Sequence, residues 1–262
     1  MMTKKVITGL LLIFILSANS FAQVDQSPQV GIVEHLGTKI PLDLKFINDK
    51  FETVTLRQII NKPTILSFVY FDCPGLCSPL LEGLGDVIQK SDFKLGKDYQ
   101  VITVSFNYRD TPEKAKEKKK RFTERYAKGN SEGWIFLTTD SATIFNITHS
   151  TGFITKAVGL DFVHPSAIIA LSPTGMITRY LYGITFQPID FKMALIEANK
   201  EQPRPTIQKA LLLCFSYDNQ GQRYTLDILK ISGILVLFFI LVFVVIYLLK
   251  PIKNKQQQNL TQ

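Results

Sequence analysis

Residues 62–71 read KPTILSFVYF and residues 71–79 read FDCPGLCSP. The first stretch is a short, dense apolar run rich in β-branched and aromatic residues, which predicts a strand covered on both faces. The second follows it directly. Ser78 then offers an N-cap and Pro79 a first helical residue, opening PLLEGLGDVIQK as a helix. This succession narrows the fold more than any other feature. A strand buried on both faces needs a layered α/β domain, and Cys73 and Cys77 then stand in the loop between that strand and a helix N-terminus.

Further elements follow in alternation. YQVITVSF (99–106) reads as a second strand, TPEKAKEKKKRFTERYA (111–127) as a charged helix begun by Thr111 and Pro112, and GWIFLTT (133–139) as a third strand. DSATIFNITHSTGF (140–153) reads as a helix. SAIIALSPTGMITRYLYG (166–183) reads as a hairpin, with Pro173 second and Gly175 fourth in a type I turn. QPIDFKMALIEANK (187–200) closes the series as a helix. The order predicts an α/β fold of thioredoxin type, a sheet with flanking helices, over residues 23–200. Within the charge run of residues 113–125, Glu113, Glu117 and Glu124 interleave with the lysines at near-helical spacing, as on a solvated helix face.

The two ends carry the longest apolar runs. Residues 1–22 have Lys4 and Lys5, an apolar stretch and small residues at Ser20 and Ala22, the pattern of a secretory signal peptide. Residues 231–249 hold no charge and match a bilayer core in length, so a transmembrane helix is expected there. Residues 250–262 carry Lys250, Lys253 and Lys255 and no acid, which places this tail in the cytoplasm and the functional domain on the exported, periplasmic side. Residues 201–230 read as an extension or linker. The formal net charge of +8 shrinks to +3 once the five lysines of these ends are set aside, so nothing marks a nucleic-acid partner. Asn146 and Asn259 stand in glycosylation sequons, which matter only in a glycosylating host.

Cys73 and Cys77 are two of three cysteines in the chain. A thiol near a helix N-terminus is biased towards thiolate, the reactive and metal-binding form. Two such thiols in an oxidising compartment form a structural disulfide, a redox-active disulfide or a soft metal site. Pro74 and Gly75 between them suit a displayed site better than a staple, and so small a loop gains little from cross-linking. A metal site needs a third donor; structural zinc wants four protein ligands, whereas Cu(I) accepts fewer soft ones. The histidines are His35, His149 and His164. His35 and His149 read as ordinary solvated or satisfied side chains. His164 stands in LDFVHPSAIIAL just before an inner strand, and in a thioredoxin-type sheet the loop leading into that strand faces the cysteine loop.

The stretches FVYFDCPGLCSPLLEGL, VITVSFNYRDTPEKAKEKKKRF and FVHPSAIIALSPTGMITRYLYG resemble the SCO/SenC copper-delivery family over roughly residues 30–200. The resemblance implies a membrane-tethered, thioredoxin-like metallochaperone, not a turnover enzyme, that delivers a copper ion to the dinuclear copper site of cytochrome c oxidase subunit II. It also implies Cys73, Cys77 and His164 as the copper ligands. The sequence departs from the family pattern at Val163, where many members place an acid, and at Asn107-Tyr108, where many read Asp-Pro. The anchor is C-terminal, which resembles a bacterial branch with a CFSYD-type stretch; Cys214 lies in that stretch and reads as a buried small hydrophobe or a third exchangeable thiol. The alternative is a thiol-disulfide oxidoreductase, with Cys73 attacking if it is the more exposed thiol and Cys77 resolving. A cis peptide before Pro165 would suit that alternative. A peroxidase of the Thr-x-x-Cys type is disfavoured, because Tyr70 stands in the place of the Thr.

Overall fold

The computed structural model describes residues 30–127, 129–159 and 161–204, with 215–218, 223–226, 232–233, 235–240 and 242–243. The chain divides into two units, Met1–Pro203 and Arg204–Gln262. In the first, β1 (Gly31–Ile32), β2 (Lys45–Asn48), β3 (Thr53–Thr55) and the one-turn α1 (Leu56–Ile59) precede the apolar run. A capping box holds α1: the Gln58 N–H donates to the Thr55 hydroxyl, and the Thr55 N–H donates to the Gln58 side chain. The apolar run forms β4 (Thr64–Val69), with all six residues buried.

Helix α2 (Cys77–Lys90) follows the cysteine loop and starts ahead of the predicted cap. Leu76, not Ser78, is the N-cap, and its side chain makes no capping hydrogen bond. The reason lies in the loop. The sulfur of Cys73 accepts from the Cys77 and Gly75 N–H groups, both at 3.4 Å, and so supplies the acceptor that a capping hydroxyl would have given.

Strand β5 (Gln100–Ser105) and helix α3 (Pro112–Tyr126) come next, with Thr111 at the N-cap and Pro112 first in the helix as predicted. Ala115, Phe122 and Tyr126 turn inward. The charged face is not wholly solvated: Lys119 is buried against Asp49 at 3.0 Å, and Lys114 pairs with Asp72 and Asp110. Then follow β6 (Trp134–Thr138) and α4 (Ser141–Ser150), which Asp140 caps by accepting from the Ala142 and Thr143 N–H groups. The remaining elements of this unit are β7 (Phe153–Ile154), β8 (Lys156–Val158), β9 (Asp161–Val163), β10 (Ala167–Leu171), β11 (Ile177–Tyr182) and α5 (Pro188–Asn199). In the β10–β11 turn the Gly175 N–H donates to the Ser172 carbonyl at 2.9 Å, and Gly175 takes a left-handed φ of 79°. In the second unit β12 (Phe215–Asp218) pairs with β13 (Arg223–Leu226) as an antiparallel hairpin.

The main sheet has the order β11-β10-β4-β5-β6-β2-β3. β4, β5 and β6 are parallel; β10 runs antiparallel to β4, and β2 antiparallel to β6. Three polar side chains of β4, β5 and β6 satisfy one another. Thr103 Oγ1 accepts from Trp134 Nε1 at 2.9 Å and shares a 2.8 Å hydrogen bond with the Ser67 hydroxyl. The register of β10 on β4, Ile168 opposite Ser67, sets the start of β10 beside the end of β4. That pairing places the functional site.

The predicted signal peptide (1–22), the tail (250–262), Cys214 and nine of the nineteen residues of the apolar run 231–249 lie outside the described residues. No helix among the described residues is long and apolar enough to cross a membrane.

Candidate metal centre

Three elements converge at the carboxyl ends of β4 and β5, where open α/β sheets place their ligands. The cysteine loop leaves β4, helix α2 begins with Cys77, and residues 164–166 lead from β9 into β10. The Cys77 sulfur lies 3.5 Å from His164 Nε2. The donor atoms of Cys73, Cys77 and His164 all lie within 4.8 Å of one another. No other group of three or more His, Cys, Asp or Glu side chains among the described residues is placed to hold a metal ion.

The thiols are unequal. Cys77 is buried and Cys73 partly exposed; neither is in a disulfide. The Cys77 thiol, donating to the Cys73 sulfur, holds the Cys73 thiol far below its ordinary range; burial opposes this, while His164 and the Cys77 and Gly75 N–H groups assist. Cys77 is pushed up, first by the hydrogen bond to Cys73 and then by burial. Cys73 is thus the thiolate of the pair and Cys77 the thiol.

The imidazole has a fixed orientation. His164 Nδ1 lies 3.0 Å from the Pro165 carbonyl, which can only accept, so Nδ1 carries a proton and Nε2 is the ring atom turned towards Cys77. A backbone carbonyl therefore does what a neighbouring carboxylate does for many metal-binding histidines. Asp161 is engaged elsewhere: it accepts from the Tyr70 hydroxyl at 3.4 Å. The His164 ring sits among aromatics, 5.2 Å from Phe106, 6.1 Å from Tyr70 and 6.5 Å from Phe153 between centroids.

The other candidates separate from the site. His35 Nδ1 is 3.0 Å from the Ser150 carbonyl and the His35 backbone N–H donates to the Tyr180 hydroxyl, while His149 stacks on Phe145. Both are satisfied or surface histidines, as expected. The peptide before Pro165 is trans, so the feature that would suit an oxidoreductase is not found here. Asn107 accepts from the Arg109 N–H in a local turn, and the exposed Tyr108 ring lies under the Arg109 guanidinium. Sequence reasoning missed Asp110. Its carboxylate accepts from the Phe71 N–H and the Ser105 hydroxyl, both at 2.6 Å, the first across 39 residues that no local pattern bridges.

A thioredoxin-like sheet that gathers two unlike thiols and an oriented imidazole at its strand ends defines a thiol and soft-metal binding domain. A profile described as SCO1/SenC matches residues 35–194, a span that includes all three donors. The chain belongs to the SCO1/SenC family. A comparison with curated proteins found no match. Among solved structures, a protein of Aquifex aeolicus VF5 provisionally described as an electron transfer protein is 31% identical, covers 63% of this chain and 95% of its own, and superposes with a TM-score of 0.58. A second from that organism, provisionally described as an electron transport protein, is 29% identical over 63% and 99%, with a TM-score of 0.55. A SCO1/SenC family lipoprotein from Bacillus anthracis str. Ames, 17% identical over 63% and 98% with a TM-score of 0.50, shows the fold alone.

Proposed function

We propose that the protein is a membrane-anchored copper metallochaperone that carries one copper ion on Cys73, Cys77 and His164. The recipient is the dinuclear copper site of cytochrome c oxidase subunit II, filled during oxidase assembly. The observation that carries this reading is the approach of two sulfurs and an imidazole nitrogen to within 4.8 Å of one another. Soft donors in so small a set suit Cu(I) and fall short of the four ligands of structural zinc. Membership of the SCO1/SenC family supports it.

The chain's own groups set the order of events. Cys73 offers a thiolate at neutral pH, and His164 offers Nε2, the ring atom turned towards Cys77. Cys77 gives up its proton when it joins them, since metal ligation requires the deprotonated thiol. Release runs by ligand exchange: the partly exposed Cys73 leaves first, while the buried Cys77 stays. We place the domain on the exported side, between a signal peptide over 1–22 and a transmembrane helix over 231–249. Such an anchor confines encounters with a membrane-bound recipient and raises their effective concentration.

The test loads the reduced, detergent-solubilised full chain anaerobically with Cu(I) and then presents the copper-free soluble domain of an oxidase subunit II. One copper per chain and its passage to that domain are expected. Failure to bind one equivalent, or retention of the metal against the recipient, sinks the reading. One observation favours a second activity: a partly exposed thiolate beside a buried thiol of raised pKa is the attacking and resolving pair of a thiol-disulfide oxidoreductase. Turnover of disulfide substrates that is unaffected by His164→Ala would establish it.

A further inference from the structure

The cysteine loop has little of its own to fix its shape. The Cys73 N–H donates to the Tyr70 carbonyl at 3.3 Å, and the other contacts of Cys73 are the weak ones made by its sulfur. A side chain from elsewhere reaches in. The carboxylate of Asp110 is fully buried, and the two short hydrogen bonds to its Oδ2 come from the loop (Phe71 N–H) and from the end of β5 (Ser105 hydroxyl), not from α3, which starts two residues later. Its Oδ1 is buried without a hydrogen bond, and the cation nearest to it is Lys114 Nζ at 3.6 Å. The same ammonium pairs with Asp72, the neighbour of Cys73.

Burial of a half-satisfied carboxylate costs stability unless a countercharge stands by. Lys114 is that countercharge, and it also grips the loop. From this arrangement we propose that Asp110 and Lys114 are positioning residues of the thiol site: they bind residues 71–72 to the start of α3 and so hold Cys73 at its distance from Cys77 and His164. Neither touches the cargo. The proposal rests on the copper-binding reading for its main readout, but not for its second one.

The experiment measures Cu(I) affinity of the reduced full chain by competition with a chromophoric chelator. The variants are Lys114→Met, Lys114→Arg, Asp72→Asn, the double Lys114→Met/Asp72→Asn, and Asp110→Asn, each with its melting temperature. Lys114→Met and Asp110→Asn are expected to weaken binding ~10- to 100-fold at unchanged stoichiometry, the range for groups that orient metal ligands. Lys114→Arg should restore most of the affinity, and the double variant should lose less than the two singles combined, because both remove one contact. Wild-type affinity in Lys114→Met and Asp110→Asn overturns the proposal. So does a loss that follows melting temperature alone and that Lys114→Arg does not repair. If the wild type binds no copper, the function proposed above fails, and the rate at which iodoacetamide alkylates Cys73 at pH 6 still decides this one. Slower alkylation in both variants supports it; equal rates refute it.

Discussion

The sulfur of Cys77 and Nε2 of His164 lie 3.5 Å apart although 87 positions separate them in the chain. The antiparallel pairing of β10 with β4 makes this approach, since it turns the segment before β10 back over the loop that leaves β4. His164 is thereby placed to serve as a third donor beside the two sulfurs, and no other His, Cys, Asp or Glu among the described residues is grouped with them.

His164→Ala is therefore expected to lower Cu(I) affinity by about 100-fold or more, at or beyond the top of the range for groups that only orient ligands. Chelator competition on the reduced protein measures it. Val163→Ala, beside it but exposed, should leave affinity unchanged.

The inequality of the thiols has a pH signature. Cys73 is lowered to about 3 by the Cys77 thiol and nearby N–H donors, so its alkylation rate should stay nearly flat between about pH 5 and pH 8, where a free thiol's rate climbs steeply. Cys77, buried and raised, should resist alkylation throughout. The stability consequence has a definite sign. A depressed pKa contributes fully above the unfolded value near 9, and the contribution falls away as the pH drops towards 3; the raised Cys77 contributes below pH 9 and loses its contribution above it. Cys73→Ser should thus cost the reduced protein more stability at about pH 8 than at about pH 5, as denaturant titrations at the two values would read.

What the sequence disclosed follows from what physical pattern each element leaves. β4 and β5 are buried over their full lengths, so their apolar runs were readable, and His164 was readable because its strand was. β2 and β3 were not: KFIN is short, with Lys45 and Ile47 outward, and it joins the sheet between β6 and the edge strand β3, meeting β6 at only two residue pairs. The hairpin of β8 and β9, exposed along most of its length, left no signal either, although it carries Phe162 and Asp161 to Tyr70. The start of α2 was misplaced because a thiol, not a hydroxyl, serves its first N–H. Asp110 and Lys114 act across gaps of 39 and 42 residues, which tertiary packing alone sets.

Lys119 and Asp49 form an ion pair of 3.0 Å with both side chains about nine-tenths buried. Lys119→Met strands the Asp49 carboxylate in a poorly solvated site and should cost roughly 3 kcal/mol. The double variant Lys119→Met/Asp49→Leu should recover most of that loss, because it strands no charge. Chemical denaturation of the four proteins of the cycle checks both statements, with the copper stoichiometry unchanged in each.

Gly83 couples the packing of α2 to the site. A Cβ at this position would stand 1.8 Å from the Ile184 carbonyl oxygen and 2.9 Å from its carbon, so helix and chain approach as closely as only a glycine permits. The neighbouring Gly183 donates its N–H to the Ser166 carbonyl at 2.9 Å, and Ser166 is two residues from His164. Gly83→Ala must therefore push apart α2, which begins with Cys77, and a segment tied to the imidazole. The gain in helix propensity, about 1 kcal/mol, is outweighed by overpacking against rigid backbone, and a net loss of 1–2 kcal/mol or so is expected. Copper affinity should fall with it, because the displacement acts on the distance between Cys77 and His164. Gly75→Ala is the control: its Cβ meets nothing within 4 Å, so affinity and melting temperature should both hold. An unchanged affinity in a destabilised Gly83→Ala protein would show that the 166–184 link does not reach the imidazole.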